Sequence, residues 1–314
     1  MTLESLVAAA SRRALAAGAL VSIPTRETRI QDGEFTYLVR VVGQLSRKAA
    51  ASTPTPESPE APVSSRRNPF LPYDPDLFVA DLPPAHVCLL NKFNVVDQHV
   101  LVVTREFERQ TSPLNEGDFA ALASCMLDGT RFSDGLGFYN GGAAAGASQP
   151  HKHLQWIPVR PSEFPLTHAI AAAAAAGESQ SDRLPFANRI ERLTMASAES
   201  PEGVGERLAG AYRRLLLATF GLPAKAPASA GPASTDPTSS VAAALGRDFE
   251  LPPYNLLVAR NWMMMVPRRQ EHFREISLNA LAFVGALLVK DERQLQVLRE
   301  TGPCAALAAA APRV

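Results

Sequence analysis

GASQPHKHLQ, residues Gly146 to Gln155, is the stretch from which both the fold and the chemistry of this chain are read. His151, His153 and Gln155 stand two residues apart, and a strand returns its side chains to the same face every second residue. The spacing predicts a strand from His151 to Val159, with two imidazoles and a carboxamide on one face and Lys152, Leu154 and Trp156 on the other.

Outward from this strand, Glu34 to Val42, Ala85 to Asn91, His99 to Thr104 and Leu136 to Asn140 are rich in β-branched and aromatic residues and read as further strands. Asn255 to Val258 and Trp262 to Val266, separated by residues 259–261, read as a hairpin whose Met263, Met264 and Met265 serve packing. Helices are predicted at Glu116 to Leu127 behind an Asn115 cap, at Gly205 to Phe220 and at Leu278 to Lys290. The N-terminal MTLESLVAAASRRALAAGALVS is broken by Glu4, Arg12 and Arg13, so it reads as an amphipathic helix and not as a signal peptide. Strands arrive in adjacent pairs and helices stand apart from them. This predicts an α+β fold, an antiparallel sheet with flanking helices, in place of a doubly wound parallel sheet. A single domain spanning 1–314 is expected, with flexible insertions near 49–67, 169–183 and 223–246, where Ala, Ser, Thr and Pro dominate without periodicity.

The 31 basic and 31 acidic side chains cancel, which argues against nucleic acid or an anionic membrane as partner. The longest apolar run near the C-terminus, Ala280 to Val289, is too short to span a bilayer. Cys88, Cys125 and Cys304 lie far apart among apolar neighbours, without a CxxC pair, and read as buried thiols of a cytoplasmic protein.

Taken alone, two histidines and a glutamine on one strand face leave metal binding and phosphoryl chemistry both open, because an HxH pair is a frequent zinc half-site. The preceding residues favour phosphate. Gly141, Gly142 and Gly146, followed by Ala147, Ser148 and Gln149, form a turn of small residues whose N–H groups can approach an anion closely. A neutral imidazole keeps a lone pair at neutral pH and can attack phosphorus, dividing one slow transfer into two easier ones. Ser148 and Gln155 are the candidate donors to the phosphoryl oxygens.

GASQPHKHLQ resembles the active-site motif of the diadenosine tetraphosphate phosphorylases (ATP adenylyltransferases). These are a branch of the histidine triad superfamily, which also holds galactose-1-phosphate uridylyltransferase. NPFLPYDPDLFVADL (Asn68 to Leu82), HVCLLNKFNVVDQHVLVVTREFERQ (His86 to Gln110), YNLLVARNWMMMVPR (Tyr254 to Arg268) and ISLNALAFVGALLVK (Ile276 to Lys290) are similar to other stretches of that family. The resemblance implies that His153 is the nucleophile, that His151 orients it, and that Gln155 replaces the third histidine of the hydrolases. It also implies that Asn91, Lys92 and His99 lie around the nucleotide, with Asn140, Gly146, Ala147, Ser148 and Gln149 as further phosphate or nucleotide contacts. The proline and glycine that usually precede the upstream histidine are replaced by Asp97 and Gln98.

The implied reaction is phosphorolysis of diadenosine tetraphosphate to ATP and ADP through an adenylyl-histidine. Its partners are small molecules (the dinucleoside polyphosphate, ATP, ADP and phosphate), with Mg2+ carried by the substrate and no resident metal. Arg260, Arg268 and Arg269 are further candidates for the distal phosphates. Another nucleotidyl exchange, such as sugar-1-phosphate uridylyl transfer, and a non-catalytic nucleotide sensor are the alternatives. An amide at position 155 can hydrogen-bond but cannot cycle protons, which favours good leaving groups and acceptors that need no deprotonation.

Overall fold

The computed structural model describes residues 1–43, 68–195, 199–221 and 250–313. It opens with helix α1 (Leu3–Ala16), capped by the Thr2 side chain, followed by the antiparallel strands β1 (Thr25–Asp32) and β2 (Phe35–Val42). Strands β3 (Phe78–Leu82), β4 (His86–Leu90) and β5 (Val100–Thr104) precede helix α2 (Glu116–Met126). Strands β6 (Leu136–Gly141) and β7 (His153–Ile157) follow, then helix α3 (Thr167–Ala176), β8 (Arg189–Arg192) and helix α4 (Pro201–Phe220). The C-terminal part holds the hairpin β9 (Tyr254–Val258) and β10 (Trp262–Pro267), short strands β11 (His272–Phe273) and β12 (Ile276–Ser277), β13 (Ala286–Val289), and helices α5 (Glu292–Thr301) and α6 (Pro303–Ala310).

Eight strands form one sheet in the order β3-β4-β5-β7-β6-β9-β10-β8, every neighbouring pair antiparallel. Strands β1, β2 and β13 make a second sheet in which β13 runs parallel to β2. The fold is α+β, as the pairing of strand signals implied.

Alternation along each strand sorts side chains onto two faces. On one, Cys88, Val102, Leu154, Trp156, Leu256 and Met265 pack under α1, α2 and α4, which contribute Val7, Phe119, Leu122, Leu208 and Tyr212. On the other, Phe138, Ile157, Leu257 and Met264 meet α3, the small sheet and the C-terminal helices. A separate cluster of Phe70, Val87, Leu89, Leu101 and Val103 occupies the β4–β5 part of that second face. His153 and Gln155 lie between these two clusters, where β5, β7 and β6 adjoin. Burial of the apolar side chains at roughly 25 cal/mol per Å2 is the main force fixing this strand order.

Helix α2 begins where expected: Asn115 Oδ1 accepts from the Asp118 N–H at 3.0 Å and Asp118 Oδ2 accepts from the Asn115 N–H at 2.8 Å, a complete capping box. Two segments differ from expectation. The alanine tract assigned to a flexible insertion at 169–183 is in large part helix α3, burying Ala169, Ile170, Ala173 and Ala174. Alanine has the highest helix propensity but gives no apolar periodicity to read, and Gly177 ends the helix at φ +76°. Leu278 to Lys290 is not a helix: a short 3-10 turn, Ala280–Val284, ends at Gly285 with φ +90°, and the chain continues as β13. A short apolar run does not distinguish a buried helix from a strand by periodicity. The insertions expected near 49–67 and 223–246 lie outside the described residues.

Met263, Met264 and Met265 are fully buried in the packing of β10. Cys88 and Cys125 are buried and free, and burial pushes the Cys88 thiol up to about 12. Among the described residues no helix is long and apolar enough to cross a membrane.

Candidate active site

The β5–β7 ladder sets Val103 opposite His153 and Leu101 opposite Gln155, so the polar side chains of β7 rise from an apolar floor. His151 lies just before β7, held by an isolated bridge to Arg109, and faces the same side. Phe70 covers this row, its ring 5.3 Å from that of His153 and 5.6 Å from that of His151, while Phe107 packs 5.4 Å from His151. His153 is 3% exposed and His151 fully buried.

The hydrogen bonds assign each tautomer. His153 Nδ1 is 2.8 Å from the main-chain oxygen of His151. A carbonyl oxygen only accepts, so Nδ1 carries the proton and Nε2 keeps the lone pair, with no protein partner among the described residues. Burial pushes this imidazole down to about 4, against the opposing pull of the His151 carbonyl. The ring is therefore neutral across the physiological range.

His151 itself does not touch the ring of His153 through a hydrogen bond: its carbonyl, not its imidazole, orients the neighbour. Asn68 Oδ1 accepts from the Phe70 N–H, so Asn68 Nδ2 donates to His151 Nδ1 at 3.0 Å. His151 Nε2–H then donates to the Thr104 and Glu106 carbonyls at 2.9 and 3.1 Å. Burial lowers its pKa, and with both nitrogens engaged this histidine is not free to ligate a metal. Among the described residues no group of three or more His, Cys, Asp or Glu is placed to hold one.

His99 follows Gln98, which takes a left-handed φ of +59°. A non-glycine residue adopts that conformation only at modest strain. Asn91 Nδ2 donates to His99 Nδ1 at 3.0 Å, and His99 Nε2–H donates to Gln155 Oε1 at 2.9 Å. This relay fixes the Gln155 carboxamide with its N–H groups turned away from His99 and without a partner among the described residues. Burial pushes His99 down to about 4, so the relay is neutral. Lys92 Nζ stands 5.8 Å from the ring centroid of Phe93 and makes no polar contact with this face among the described residues.

The glycine turn follows directly on β6, the neighbour of β7 in the sheet. Gly142 and Gly146 have φ of +93° and +88°, and a Cβ on Gly146 would lie 3.0 Å from the Leu278 carbonyl oxygen. Gly146 N–H donates to Ala143 O and Ala147 N–H to Gly142 O, so these two N–H groups shape the turn instead of facing outward. Ser148 is exposed, and its hydroxyl and N–H and the Gln149 N–H have no partner among the described residues. These are donors an anion can use.

Asn140 is 3% exposed, and its Oδ1 accepts from Asn255 Nδ2 at 2.9 Å and from the Ala280 N–H at 3.0 Å, so its oxygen braces the turn and is not open to a ligand. Asn255 Nδ2 also donates to Ala145 O at 2.8 Å. Arg268, buried behind the turn, donates to Ala145 O, Leu278 O and Asn255 Oδ1. It is a buried brace and leaves no exposed guanidinium for distal phosphates. Its side-chain bonds end on neutral oxygens, and its guanidinium lies 4.9 Å from the ring centroid of Phe283. Arg260 lies at the opposite end of the strands, donating to Met126 O at 3.2 Å.

On the reverse face, Lys152 is 1% exposed and its ammonium meets Glu108, Pro113 O and Asp118. Burial alone would lower its pKa; the Asp118 and Glu108 carboxylates outweigh that and raise it. Asn68, Phe70, Thr104, Asn255 and Lys152 were not singled out from the sequence. Their contacts join segments from 34 to 115 residues apart, and no local spacing announces them.

The family model described as Ap4A phosphorylase N-terminal domain matches residues 1–172, and that described as ATP adenylyltransferase C-terminal domain matches residues 182–312. The chain is 28% identical over 267 residues to diadenosine 5',5'''-P1,P4-tetraphosphate phosphorylase 2 of Saccharomyces cerevisiae, covering 78% of this chain and 75% of that protein. It is 26% identical over 317 residues to Protein APA1 of the same yeast, covering 95% and 90%. Among solved structures, yeast Ap4A phosphorylase Apa2 in complex with Ap4A superposes with a TM-score of 0.71 at 23% identity, and the complex with AMP with 0.70 at 24%, each covering 99% of both chains. These superpositions establish that the folds are alike.

Proposed function

Because the chain belongs to the Ap4A phosphorylase family, we propose that it converts diadenosine tetraphosphate and phosphate to ATP and ADP through an adenylyl group carried on His153. In the first step Nε2 of His153 attacks the α-phosphorus. The N–P bond forms as the P–O bond to the leaving group breaks, and the electron pair departs with ATP. In the second, a phosphate oxygen attacks the same phosphorus, the P–N bond breaks, and ADP leaves with the imidazole restored.

The observation that carries this reading is the 2.8 Å contact between His153 Nδ1 and the His151 carbonyl. It directs the lone pair to Nε2 and meets the positive charge that develops on the ring during attack. The free amide of Gln155, the Ser148 hydroxyl and N–H and the Gln149 N–H suit the growing charge on the phosphoryl oxygens. Gln155 also cannot shuttle a proton to or from water. ATP leaves and phosphate attacks without such help, so phosphorolysis is favoured over hydrolysis. Magnesium would ride on the polyphosphate oxygens, since the donor set around His153 is imidazole and amide, poor company for a hard cation. The free thiols fit a cytoplasmic setting.

Incubation of the protein with diadenosine tetraphosphate and phosphate, with chromatographic separation of products, should give equal amounts of ATP and ADP, abolished in His153→Ala. Turnover of UDP-sugars instead would make this a uridylyl transferase, and binding of adenosine polyphosphates without turnover would make it a sensor.

A further inference from the structure

Strands β6 and β7 are paired from Leu136↔Ile157 to Phe138↔Gln155 and then part, although the same register continued would set Tyr139 opposite Leu154 and Asn140 opposite His153. The gap is filled by one side chain from a third segment. Gln110 Nε2 donates to Asn140 O at 2.9 Å and to His153 O at 3.2 Å, and Gln110 Oε1 accepts from the His153 N–H at 2.8 Å. The carboxamide thus takes the place of a rung, with two hydrogen bonds in series where a direct ladder has one.

Gln110 is itself fixed at every polar atom. Its N–H donates to Pro150 O at 2.7 Å, and its carbonyl accepts from the Tyr139 hydroxyl. It is 2% exposed. The segment that carries it is bound to the approach of β7 by Lys152 N–H donating to Glu108 O at 2.8 Å and by Lys152 Nζ on Glu108. His153 on one side of the wedge bears the lone pair; Asn140 on the other leads directly into the turn at Gly142 to Gln149.

We infer that Gln110 is a positioning residue for the nucleotidyl transfer: it sets the spacing between the His153 nucleophile on β7 and the phosphate-facing turn after β6. The inference rests on the phosphorolysis proposed above. A direct ladder would bring the two strands to about 4.8 Å and close the opening in which an α-phosphate must sit. In-line attack tolerates little displacement, and an error of about 1 Å costs on the order of a hundredfold in rate.

Two variants test it. Gln110→Leu removes all three side-chain hydrogen bonds; its rate of ATP release in a single turnover should fall about ten- to hundredfold, with affinity for AMP within about threefold of the parent. Gln110→Glu supplies a side chain of the same shape that donates to Asn140 O only when its carboxyl is protonated. Burial beside two carbonyl oxygens raises the pKa of such a group. Its activity relative to the parent should therefore rise as pH falls from 8 to 5.5, a reversal that loss of folding would not produce. Thermal melts confirm that each variant is folded. If the parent releases ATP and ADP while both variants match it at every pH, or if Gln110→Glu keeps a constant ratio to the parent, Gln110 does not position the nucleophile. If the parent releases neither product, the proposed reaction fails first, and this inference with it.

Discussion

Replacing Phe70 by alanine should move the acid limb of the reaction toward neutral pH. The Phe70 ring lies 5.3 Å from that of His153 and roofs it against solvent. Burial is the main cause of the drop from 6.5 to about 4 in the His153 pKa. Opening the roof returns water to the imidazole, with full recovery to 6.5 as the limit, a change equivalent to about 3 kcal/mol. At pH 5.5 the wild-type ring is about 97% neutral; in the limit of full recovery the variant ring is about 9% neutral. The ratio of kcat/KM at pH 5.5 to that at pH 8 should thus stay near one in the wild type and drop up to about tenfold in Phe70→Ala. Recovery halfway still shifts the limb by more than one pH unit. The assay is ATP release from diadenosine tetraphosphate between pH 4.5 and 8.5, quantified by chromatography so that no coupling enzyme adds its own pH dependence. Any titration of the substrates is the same for both proteins and cancels in their ratio. Superimposable acid limbs, in a variant shown to be folded, would refute the claim that burial under Phe70 sets the protonation of the nucleophile.

Lys152→Met leaves Asp118 buried without its ammonium partner, and breaking a buried pair in this way costs about 3–5 kcal/mol, to be read from urea unfolding. Stability should also fall on mild acidification. His153 and His99 sit at about 4 in the folded protein against an ordinary 6.5, so between these values the unfolded chain binds more protons. The native state then loses up to about 1.4 kcal/mol per pH unit for each histidine as pH drops from 6.5 to 4, and nothing from this source above 6.5; unfolding midpoints that stay flat over that window would contradict it. Gln155→His supplies a proton shuttle where only a fixed amide now stands. It should add AMP, the product of hydrolysis, to ATP in the chromatogram, and a variant that yields ADP alone beside ATP would show that the amide does not decide the acceptor.

The period of two in HKHLQ was enough to place His153 and Gln155 on one face of a strand, because that face is fixed by pleat geometry alone. The Asn115 cap and the packing role of the three methionines were equally legible, each being a local pattern. What escaped the sequence depends on contacts between distant segments. Nothing near position 70 indicates that its ring will cover a histidine 83 residues on, and nothing near Gln110 indicates that its amide will stand in for a rung between two strands. The contact that His151 makes with the His153 ring was not legible, because it comes from a main-chain carbonyl that every residue type possesses. The His151 imidazole instead ties Asn68 to the loop after β5. The alanine tract of α3 and the apolar run into β13 misled for the same reason, since uniform hydrophobicity carries no period.

The central claim is that His153 carries the adenylyl group between the two half-reactions. Mixing the protein with diadenosine tetraphosphate in the absence of phosphate, quenching at alkaline pH and digesting for mass spectrometry tests it directly. One adenylyl group, labile to acid, should be found on the peptide containing His153, and added phosphate should discharge it as ADP. An active enzyme that forms no adduct, or that carries the adenylyl group on another residue, would contradict the account.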